Sequence, residues 1–596
     1  MLASARPIPF GTLHDARRVL RTHFGYPDFR PPQVRAVEAV LSGRDALIVL
    51  PTGGGKSLCY QVPALVRGGL TVVVSPLISL MTDQVDTLER RGVAAAYLNS
   101  TLGAAATAAR MARARDGTLR LLYLSPERLE AGRTLEQLCE IGIRLLAVDE
   151  AHCISEWGHD FRPSYRRIGQ LRKRLGGPQT VALTATATPA VRRDIVAQLA
   201  LDEPDVVVGG FDRTNLSYEV RTCRHERDKD DALVSALRDQ RAPAIVYAPT
   251  RKAVERVTAL LARARLAARA YHAGLEHGAR QQAQEAFMAE RTRLIVATSA
   301  FGMGIDKPDV RLVIHHAMPG SLEAYYQEAG RAGRDDQPGH CLLLYSATDR
   351  DTHEFFLAGT HPARAVVDGV WAAMRQLADD TGRVPLQPEA LVRHIAPAFS
   401  ERAAGAALRV LMANHVCTAE AAHPWRVWVR LLATPERITR EIGSVHVDRE
   451  LLRALWRAAG RQLELGAVID LDGLPPNLGG ARMLVPVLER LKARQFVTWT
   501  RRGGGLRIAR RALRLASPPV NWRQLERRRR TDRERLDAME AYAHTRHCRR
   551  AYVLRYFGDA EARPYCGACD RCLGGTGPAR PAAPERAARV RSRPRS

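Results

Sequence analysis

The segment from Ala46 to Leu58 places a glycine-rich turn between an apolar run and the start of a helix. Ala46-Leu47-Ile48-Val49 suits a buried parallel strand, and residues 50–57 read Leu-Pro-Thr-Gly-Gly-Gly-Lys-Ser. Such glycines let backbone N–H groups surround phosphate oxygens, while the Lys ammonium reaches the β- and γ-phosphates and the Ser hydroxyl reaches Mg²⁺. We therefore predict a nucleotide-binding loop formed by Thr52, Gly53, Gly54, Gly55, Lys56 and Ser57. Leu50 stands where the leading Gly is usual, so an ordinary glycine-rich turn is the alternative.

Further apolar segments end in polar residues, which indicates a doubly wound parallel sheet. Three of these segments end at Ser75, at Asp149-Glu150 and at Thr184. The carboxyl ends of parallel strands meet at one edge of a sheet, and ligands bind there. A carboxylate at that edge can hold Mg²⁺, and its neighbour can deprotonate the water that attacks the γ-phosphate. We predict these roles for Asp149 and Glu150; a surface acidic pair is the alternative.

A polar and aromatic stretch precedes the glycine-rich loop by about 20 residues. The amide of Gln33 can pair with both the donor and the acceptor edge of adenine, and Tyr26 and Arg30 can stack on the base. We therefore predict that Tyr26, Arg30 and Gln33 bind the adenine of ATP.

Residues 155–163 read Ser-Glu-Trp-Gly-His-Asp-Phe-Arg-Pro and follow the acidic pair at once. Aromatic side chains such as Trp157 and Phe161 can stack on single-stranded bases, and Arg162 can pair with phosphate. A packed aromatic loop is the alternative interpretation.

A second set of alternating strands and helices begins near Arg213. One strand leads into residues 301–306, which end at Asp306, and residues 325–335 contain Gln327, Arg331 and Arg334. The two arginines are three residues apart and share one helical face. Arginines aimed across a cleft can neutralise the charge that develops on the γ-phosphate. A helix face that binds DNA phosphate is the alternative.

Taken together, these motifs resemble the RecQ family of superfamily 2 DNA helicases. The resemblance runs through Gln33 and residues 51–57, 149–152, 155–163 and 184–186, and it covers residues 10–350 nearly without a gap. It implies two RecA-like lobes that close on ATP and step along DNA in the 3′→5′ direction. It also implies that loop 155–163 senses single-stranded DNA, with His152 and Ser75 in the coupling. Both arginines are implied to lie at the cleft, with Arg334 as the finger and with Gln327 and Asp306 also in the site.

About 170 residues separate the second lobe from the cysteine-rich segment, which departs from the pattern of the resembled family. This insert contains helical stripes and the β-prone run Trp425–Val429, and it ends in residues 496–508, with Arg501, Arg502 and three glycines in sequence. Helices followed by a hairpin with a basic tip are typical of a winged helix, which offers a helix and a wing to duplex DNA. We predict one or two winged-helix units here, and a helical spacer is the alternative.

Four of the ten cysteines cluster near the C-terminus, at Cys548, Cys566, Cys569 and Cys572. Four thiolates at this spacing suit tetrahedral Zn²⁺; an iron–sulfur cluster is the competing interpretation. The resemblance to the zinc-binding segment of the family, which includes Arg549, Arg550 and residues 556–558, favours zinc.

Charge and hydropathy restrict the class of protein. The chain has 90 basic and 63 acidic residues and a net charge of +27, which suggests a polyanionic partner such as nucleic acid. GC-rich coding explains the preference for Arg over Lys but leaves the basic excess unexplained. The first ten residues lack an apolar signal core, and no run of about 18 apolar residues occurs. We therefore expect a cytoplasmic, nucleoid-associated bacterial protein without a membrane partner.

The predicted fold class is α/β, with two tandem RecA-like doubly wound parallel-sheet domains, inserted winged-helix-like α+β units and a small helical zinc-binding segment. The expected boundaries are 1–210 and 211–355 for the lobes, 356–440 and 441–520 for the insert, 521–575 for the zinc-binding segment and 576–596 for a disordered basic tail.

The predicted function is an ATP-dependent 3′→5′ DNA helicase of recombination or repair that uses ATP, Mg²⁺ and Zn²⁺. Its expected partners are single-stranded and forked duplex DNA, with a single-strand-binding protein or other repair factors as further partners. The alternatives are a DNA translocase or remodeller that does not separate strands, a DNA-binding scaffold with a dead ATPase, and an RNA helicase.

Overall fold

The computed structural model describes residues 11–99, 102–131, 133–158, 160–302, 307–396, 398–420, 425–442, 446–501, 505–559 and 562–574. These residues form two compact units. The first unit contains the chain up to His353 together with the residues from Arg530 onward, and the second contains residues 354–529. Of the expected segments, the tail from residue 576 lies outside the described residues.

The first lobe consists of alternating helices and strands that are joined by short connecting segments. Its elements are α1 (Leu13–Val19), α2 (Pro31–Leu41), β1 (Ala46–Val49), α3 (Leu58–Arg67), β2 (Leu70–Val74), α4 (Ile78–Arg90), β3 (Ala95–Leu98), α5 (Ala104–Arg115), β4 (Leu121–Leu124), α6 (Pro126–Glu130), α7 (Thr134–Ile141), β5 (Ile143–Val148), α8 (Pro163–Arg166), α9 (Ile168–Arg174), β6 (Gln179–Thr184), α10 (Pro189–Leu199) and β7 (Asp205–Val208). Every residue of β1, β2 and β4 is buried, as expected for strands covered by helices on both faces.

The seven strands of this lobe form one parallel sheet in the order β3-β4-β2-β5-β6-β1-β7. The central neighbours β2, β5, β6 and β1 therefore bring their carboxyl ends together. The residue that follows each strand is tied to the adjacent strand, since the N–H of Asp149 donates to Val74 O at 2.9 Å and the N–H of Leu50 donates to Thr184 O at 3.1 Å. The edge that the sequence predicts to carry the site is thus held rigidly by the ladder.

The second lobe repeats this design with six parallel strands in the order β10-β11-β9-β12-β13-β8. Its elements are β8 (Leu216–Thr222), α11 (Glu226–Arg238), β9 (Ala244–Tyr247), α12 (Arg251–Arg263), β10 (Ala268–Tyr271), α13 (His277–Met288), β11 (Leu294–Ala297), β12 (Leu312–His315), α14 (Leu322–Ala329), β13 (Gly339–Tyr345) and α15 (Asp349–Thr360). The two parallel sheets confirm the predicted doubly wound architecture.

The insert contains two small antiparallel sheets, each with its own apolar core. Its elements are α16 (Arg364–Leu377), β14 (Arg383–Val384), α17 (Pro388–Ile395), α18 (Glu401–Ala413), β15 (Cys417–Ala419), β16 (Arg426–Leu431), α19 (Pro435–Glu441), α20 (His446–Ala459), α21 (Gln462–Leu465), β17 (Ala467–Asp470), α22 (Ala481–Ala493), β18 (Val497–Arg501) and β19 (Leu506–Ile508). Helices packed on a small antiparallel sheet are consistent with winged-helix units.

The two parts of the insert are nested rather than consecutive, which differs from the expected boundaries 356–440 and 441–520. Strand β19 pairs with β14 and β15, while β18 pairs with β16. The outer part therefore contributes residues on both sides of the inner part. It follows that β18 and β19 do not form the predicted hairpin with a basic tip, because they belong to different sheets. The side chain of Arg501 and all of Arg502 lie outside the described residues.

The C-terminal segment consists of α23 (Trp522–His544), α24 (Arg549–Tyr556) and α25 (Asp570–Leu573). From Arg530 onward it belongs to the same compact unit as the two lobes. Buried charges attach it there: the Nη2 group of Arg550 donates to Leu216 O at 2.7 Å, and the N–H of Val220 donates to Asp570 Oδ2 at 3.2 Å. All three helices lie within residues 521–575, where a small helical zinc-binding segment was predicted. Within the described residues, none of the helices is long and apolar enough to span a bilayer.

Candidate active site

The glycine-rich loop joins the end of β1 to the start of α3. Gly53 and Gly55 have φ angles of 77° and 69°, a left-handed conformation that strains other residues. The Nζ group of Lys56 donates to Pro51 O at 3.3 Å, so the ammonium lies across the loop. An anion bound at the N-terminus of α3 would offer this ammonium a stronger, charged acceptor.

The acidic pair lies at the end of β5, opposite the loop. Burial and the neighbouring Glu150 carboxylate raise the pKa of Asp149 to about 7, and the Lys56 ammonium opposes that shift. Burial likewise lowers the pKa of Lys56, against the attraction of both carboxylates. A divalent cation at Asp149 would favour its ionised form, because it adds positive charge beside the carboxylate. The φ of Glu150 is 47°, and such strain is typical of functional positions.

His152 joins the acidic pair to the end of β6. Its fully buried imidazole places Nδ1 2.9 Å from Thr184 Oγ1 and 3.3 Å from Glu150 Oε2. Burial opposes a charge on this ring, but Cys153 and Glu150 outweigh it and raise the pKa of His152 above its usual range. A movement of the segment that follows His152 would therefore reach Glu150 directly.

The turn that follows α14 supplies two arginines to the opposite wall of the same cavity. Arg331 and Arg334 line it together with Lys56, Asp149 and Glu150, and its volume is about 610 Å³. Thr52, Gly53, Gly55, Ser57 and Gln327 also line this cavity. Arg331 is 4% exposed, and its Nε has no hydrogen-bond partner within the described residues. A buried guanidinium whose Nε still lacks an acceptor among the described residues, in a cavity large enough for a nucleotide, fits a polyphosphate.

The predicted adenine-binding residues divide between two cavities. Tyr26 is 49% exposed and lines the cavity just described. Arg30 and Gln33 instead line a neighbouring cavity of about 260 Å³. The side-chain amide of Gln33 donates to Gly54 O at 3.0 Å and accepts from the N–H of Arg30 at 2.8 Å. In this structure Gln33 therefore braces the phosphate loop rather than presenting its amide to a base. Asp306 lies outside the described residues.

The four C-terminal cysteines converge on one point, with all four Sγ atoms within 4.8 Å of one another. The Sγ–Sγ distance is 3.9 Å for Cys566 and Cys572 and also for Cys569 and Cys548. Four thiolates at about 2.3 Å from a tetrahedral Zn²⁺ lie about 3.8 Å apart, so the donor set fits zinc. An iron–sulfur cluster would need wider spacing for part of the set, because its four thiolates are divided among two or four irons.

Three domain families match this chain. The DEAD/DEAH box helicase family matches residues 30–195, the helicase conserved C-terminal domain matches residues 228–336, and the RecQ zinc-binding family matches residues 509–573. Residues 337–508, which include nearly all of the insert, lie outside these three matches.

Curated relatives match over somewhat more than half of this chain. The ATP-dependent DNA helicase RecQ of Bacillus subtilis is 45% identical over 347 residues, which cover 58% of this chain and 58% of the relative. RecQ of Pasteurella multocida is 44% identical over 331 residues, which cover 56% of this chain and 52% of the relative. The probable ATP-dependent DNA helicase RecS of Bacillus subtilis is 43% identical over 341 residues, which cover 57% of this chain and 68% of the relative.

The chain belongs to the RecQ family. It spans only 52% to 58% of the length of the two RecQ relatives above.

The aromatic-rich loop of this RecQ-family chain is only partly presented to solvent. Trp157 is 37% exposed, so one part of its indole remains available to a base. Arg162 is engaged within the protein, where it donates to Asp160 Oδ2 and to Pro76 O, both at 3.0 Å. Phe161 is half-buried. Ser75, placed in the coupling by the resemblance, is 1% exposed in this structure.

Sequence reasoning missed Arg213, which begins the second lobe of this RecQ-family chain. Its buried guanidinium donates to Thr52 O of the phosphate loop at 3.1 Å and to Gly333 O, between the two arginines, at 2.7 Å. It also donates to Gly330 O at 3.2 Å and to Ala332 O at 3.0 Å. One side chain thus sets the distance between the two walls of the cavity. The sequence holds no signal for this, because these four acceptors are backbone carbonyls.

Replacing Arg213 with Ala is therefore expected to lower kcat for ATP hydrolysis by about 10²-fold, the cost of misplacing catalytic groups by about 1 Å. Steady-state ATPase assays check this, with thermal melting to confirm folding. Arg224→Ala is the matched control, since Arg224 is exposed. A loss of activity no greater than that of the control would show that Arg213 does not position the site.

Proposed function

We propose that this protein is an ATP-dependent DNA helicase that unwinds forked or tailed duplexes in the 3′→5′ direction, in recombination or repair. The observation that carries the proposal is the convergence of Lys56, Asp149 and Glu150 with Arg331 and Arg334 around one cavity, in a chain of the RecQ family. The intact set argues against a scaffold with a dead ATPase.

In the proposed reaction each group has one task. Lys56 neutralises the β- and γ-phosphates of ATP, and Glu150 orients the attacking water and accepts its proton. Arg331 and Arg334 stabilise the charge that develops on the transferred phosphoryl group, with Arg334 as the finger. Ser57 and Asp149 would hold Mg²⁺, which would supply further positive charge against the phosphates. Tyr26 contributes to the adenine side of the cavity.

DNA is the proposed polyanionic partner, because the chain carries a net charge of +27 and Trp157 offers a stacking surface. His152 connects the segment that bears Trp157 to Glu150, which gives a path from bound strand to hydrolysis. Zn²⁺ bound by the four cysteines would have a structural role, since the ligand set leaves no open position. A bacterial cytoplasmic protein acting at the nucleoid, alongside a single-strand-binding protein, agrees with this proposal.

An unwinding assay on 3′-tailed, 5′-tailed and forked duplexes tests the proposed function. We expect ATP-dependent unwinding of the 3′-tailed and forked substrates only, and none by Lys56→Ala, which lacks the phosphate-binding charge. Unwinding by Lys56→Ala at the wild-type rate would contradict the motor mechanism.

A DNA translocase that does not separate strands is the second candidate. The observation that favours it is that β18 and β19 belong to different sheets, so the hairpin that would serve as a wedge between the strands is not formed by them. DNA-stimulated ATP hydrolysis without unwinding of any of the three substrates would select this function.

A further inference from the structure

One buried arginine of α23 contacts both the aromatic-rich loop and α14, the helix that precedes the catalytic arginines. Arg535 is 8% exposed. Its Nη2 group donates to the backbone carbonyl of Trp157, and its Nε lies 3.7 Å from Glu323 Oε1. Its Nη1 group donates to Asp532 Oδ1 at 3.0 Å. The guanidinium thus links the proposed DNA-sensing loop to the first turn of α14.

Glu323, the partner of Arg535 on α14, is 3% exposed, and only one of its two carboxylate oxygens accepts a hydrogen bond from the part of the chain that the structure describes. Its Oε1 accepts a hydrogen bond from the Tyr556 hydroxyl at 2.8 Å, whereas its Oε2 has no hydrogen-bond partner within the described residues. The separation of 3.7 Å from the guanidinium is too long for a hydrogen bond. A buried carboxylate with incomplete hydrogen bonding costs free energy. A shorter distance between Arg535 and Glu323 would lower that cost.

The Trp157 carbonyl and the Glu323 carboxylate therefore face one guanidinium through different groups, Nη2 and Nε. While the guanidinium holds the Trp157 carbonyl, Glu323 stays incompletely paired. If the loop moves away with a bound strand, the guanidinium is released at Nη2, and its Nε can then shift towards the carboxylate and pull on α14. This helix is eight residues long, about 12 Å, and its far end leads into Arg331 and Arg334. A small shift at Glu323 would thus reach the wall of the ATP cavity.

We propose that Arg535 and Glu323 are positioning residues that couple DNA binding at the aromatic-rich loop to the placement of the catalytic arginines. The coupling runs through α23, which leads into the zinc-binding cysteines, and is separate from the path through His152 within the first lobe. The proposal rests on the proposed function, since it requires hydrolysis that DNA stimulates.

The test compares ATP hydrolysis with and without a saturating single-stranded oligonucleotide for Arg535→Gln, Glu323→Gln and the double variant. Each single variant is expected to lower the ratio of stimulated to basal kcat about 10-fold. The double variant should lose no more than either single one, because both act on one pair. The dissociation constant for the oligonucleotide, measured by fluorescence anisotropy, should change less than about 3-fold. Glu534→Gln, an exposed change next to Arg535, is the matched control.

Two outcomes would overturn the coupling. One is a ratio like that of the wild type in Arg535→Gln. The other is an equal loss of basal and stimulated hydrolysis together with a lower melting temperature, which would indicate a purely structural role. A wild-type protein whose hydrolysis does not respond to DNA would instead contradict the proposed function, so the two failures are distinguishable.

Discussion

Replacing Glu150 with Gln is expected to lower kcat for ATP hydrolysis by about 10²- to 10⁴-fold, the usual contribution of a general base. The substitution keeps the shape of the side chain but removes the carboxylate that accepts the proton from water. ATP binding should change little, because Lys56 and the backbone of the phosphate loop remain. Steady-state hydrolysis and equilibrium binding of a fluorescent ATP analogue measure the two quantities separately.

Glu38→Gln is the matched control for that experiment, since Glu38 is exposed on α2 and belongs to no part of the cavity. A Glu150→Gln variant that hydrolyses ATP within a few-fold of the wild-type rate would remove Glu150 from the proposed mechanism. A large loss of nucleotide affinity would show instead that this carboxylate organises the site before chemistry.

The second large effect is expected from loss of the metal cluster. Cys569→Ser should abolish stoichiometric zinc binding and lower the melting temperature by about 10 °C, because binding free energy at a structural zinc site is also folding free energy. Zinc content by elemental analysis and thermal melting check the two parts. Since Asp570 and Arg550 attach this segment to β8 and the residues before it, ATP hydrolysis should fall as well.

Cys139→Ser is the control for the metal experiment, because Cys139 is exposed and stands apart from the cluster. A Cys569→Ser protein with one zinc per chain and an unchanged melting temperature would exclude this cysteine as a ligand. Iron in place of zinc in the wild-type protein would favour the alternative cluster.

The motor site was predictable where its residues are set by local chain geometry. A strand, a glycine-rich turn and a helix put Lys56 in place within a dozen residues, and Asp149 follows an apolar strand directly. Parallel pairing then brings the strand ends together without further information. The same reasoning identified the cysteine cluster, because three of its four ligands lie within seven residues.

Contacts between distant segments could not be predicted in this way. Arg213 and Arg535 bind backbone carbonyls of segments far along the chain, and a carbonyl has no signature in the sequence. Gln33 was assigned by chemistry that its amide can perform, but the loop carbonyls compete for the same groups. The pairing of strands in the insert was predicted wrongly because β18 and β19 are neighbours in sequence. In the structure they pair in two different sheets, each with its own apolar core.

The nested insert constrains the order of events during synthesis. Strand β15 ends at Ala419 and pairs with Leu506 of β19. Because β19 is synthesised after the inner part, the outer sheet cannot form until the whole inner part has been made. The inner part, from β16 to β18, has all its strands available earlier and can fold first. Its two ends emerge beside each other at Ala419 and Leu506, where a short turn could replace it. The inner part therefore has the arrangement of an inserted domain, whose gain or loss would leave the fold of the outer part intact.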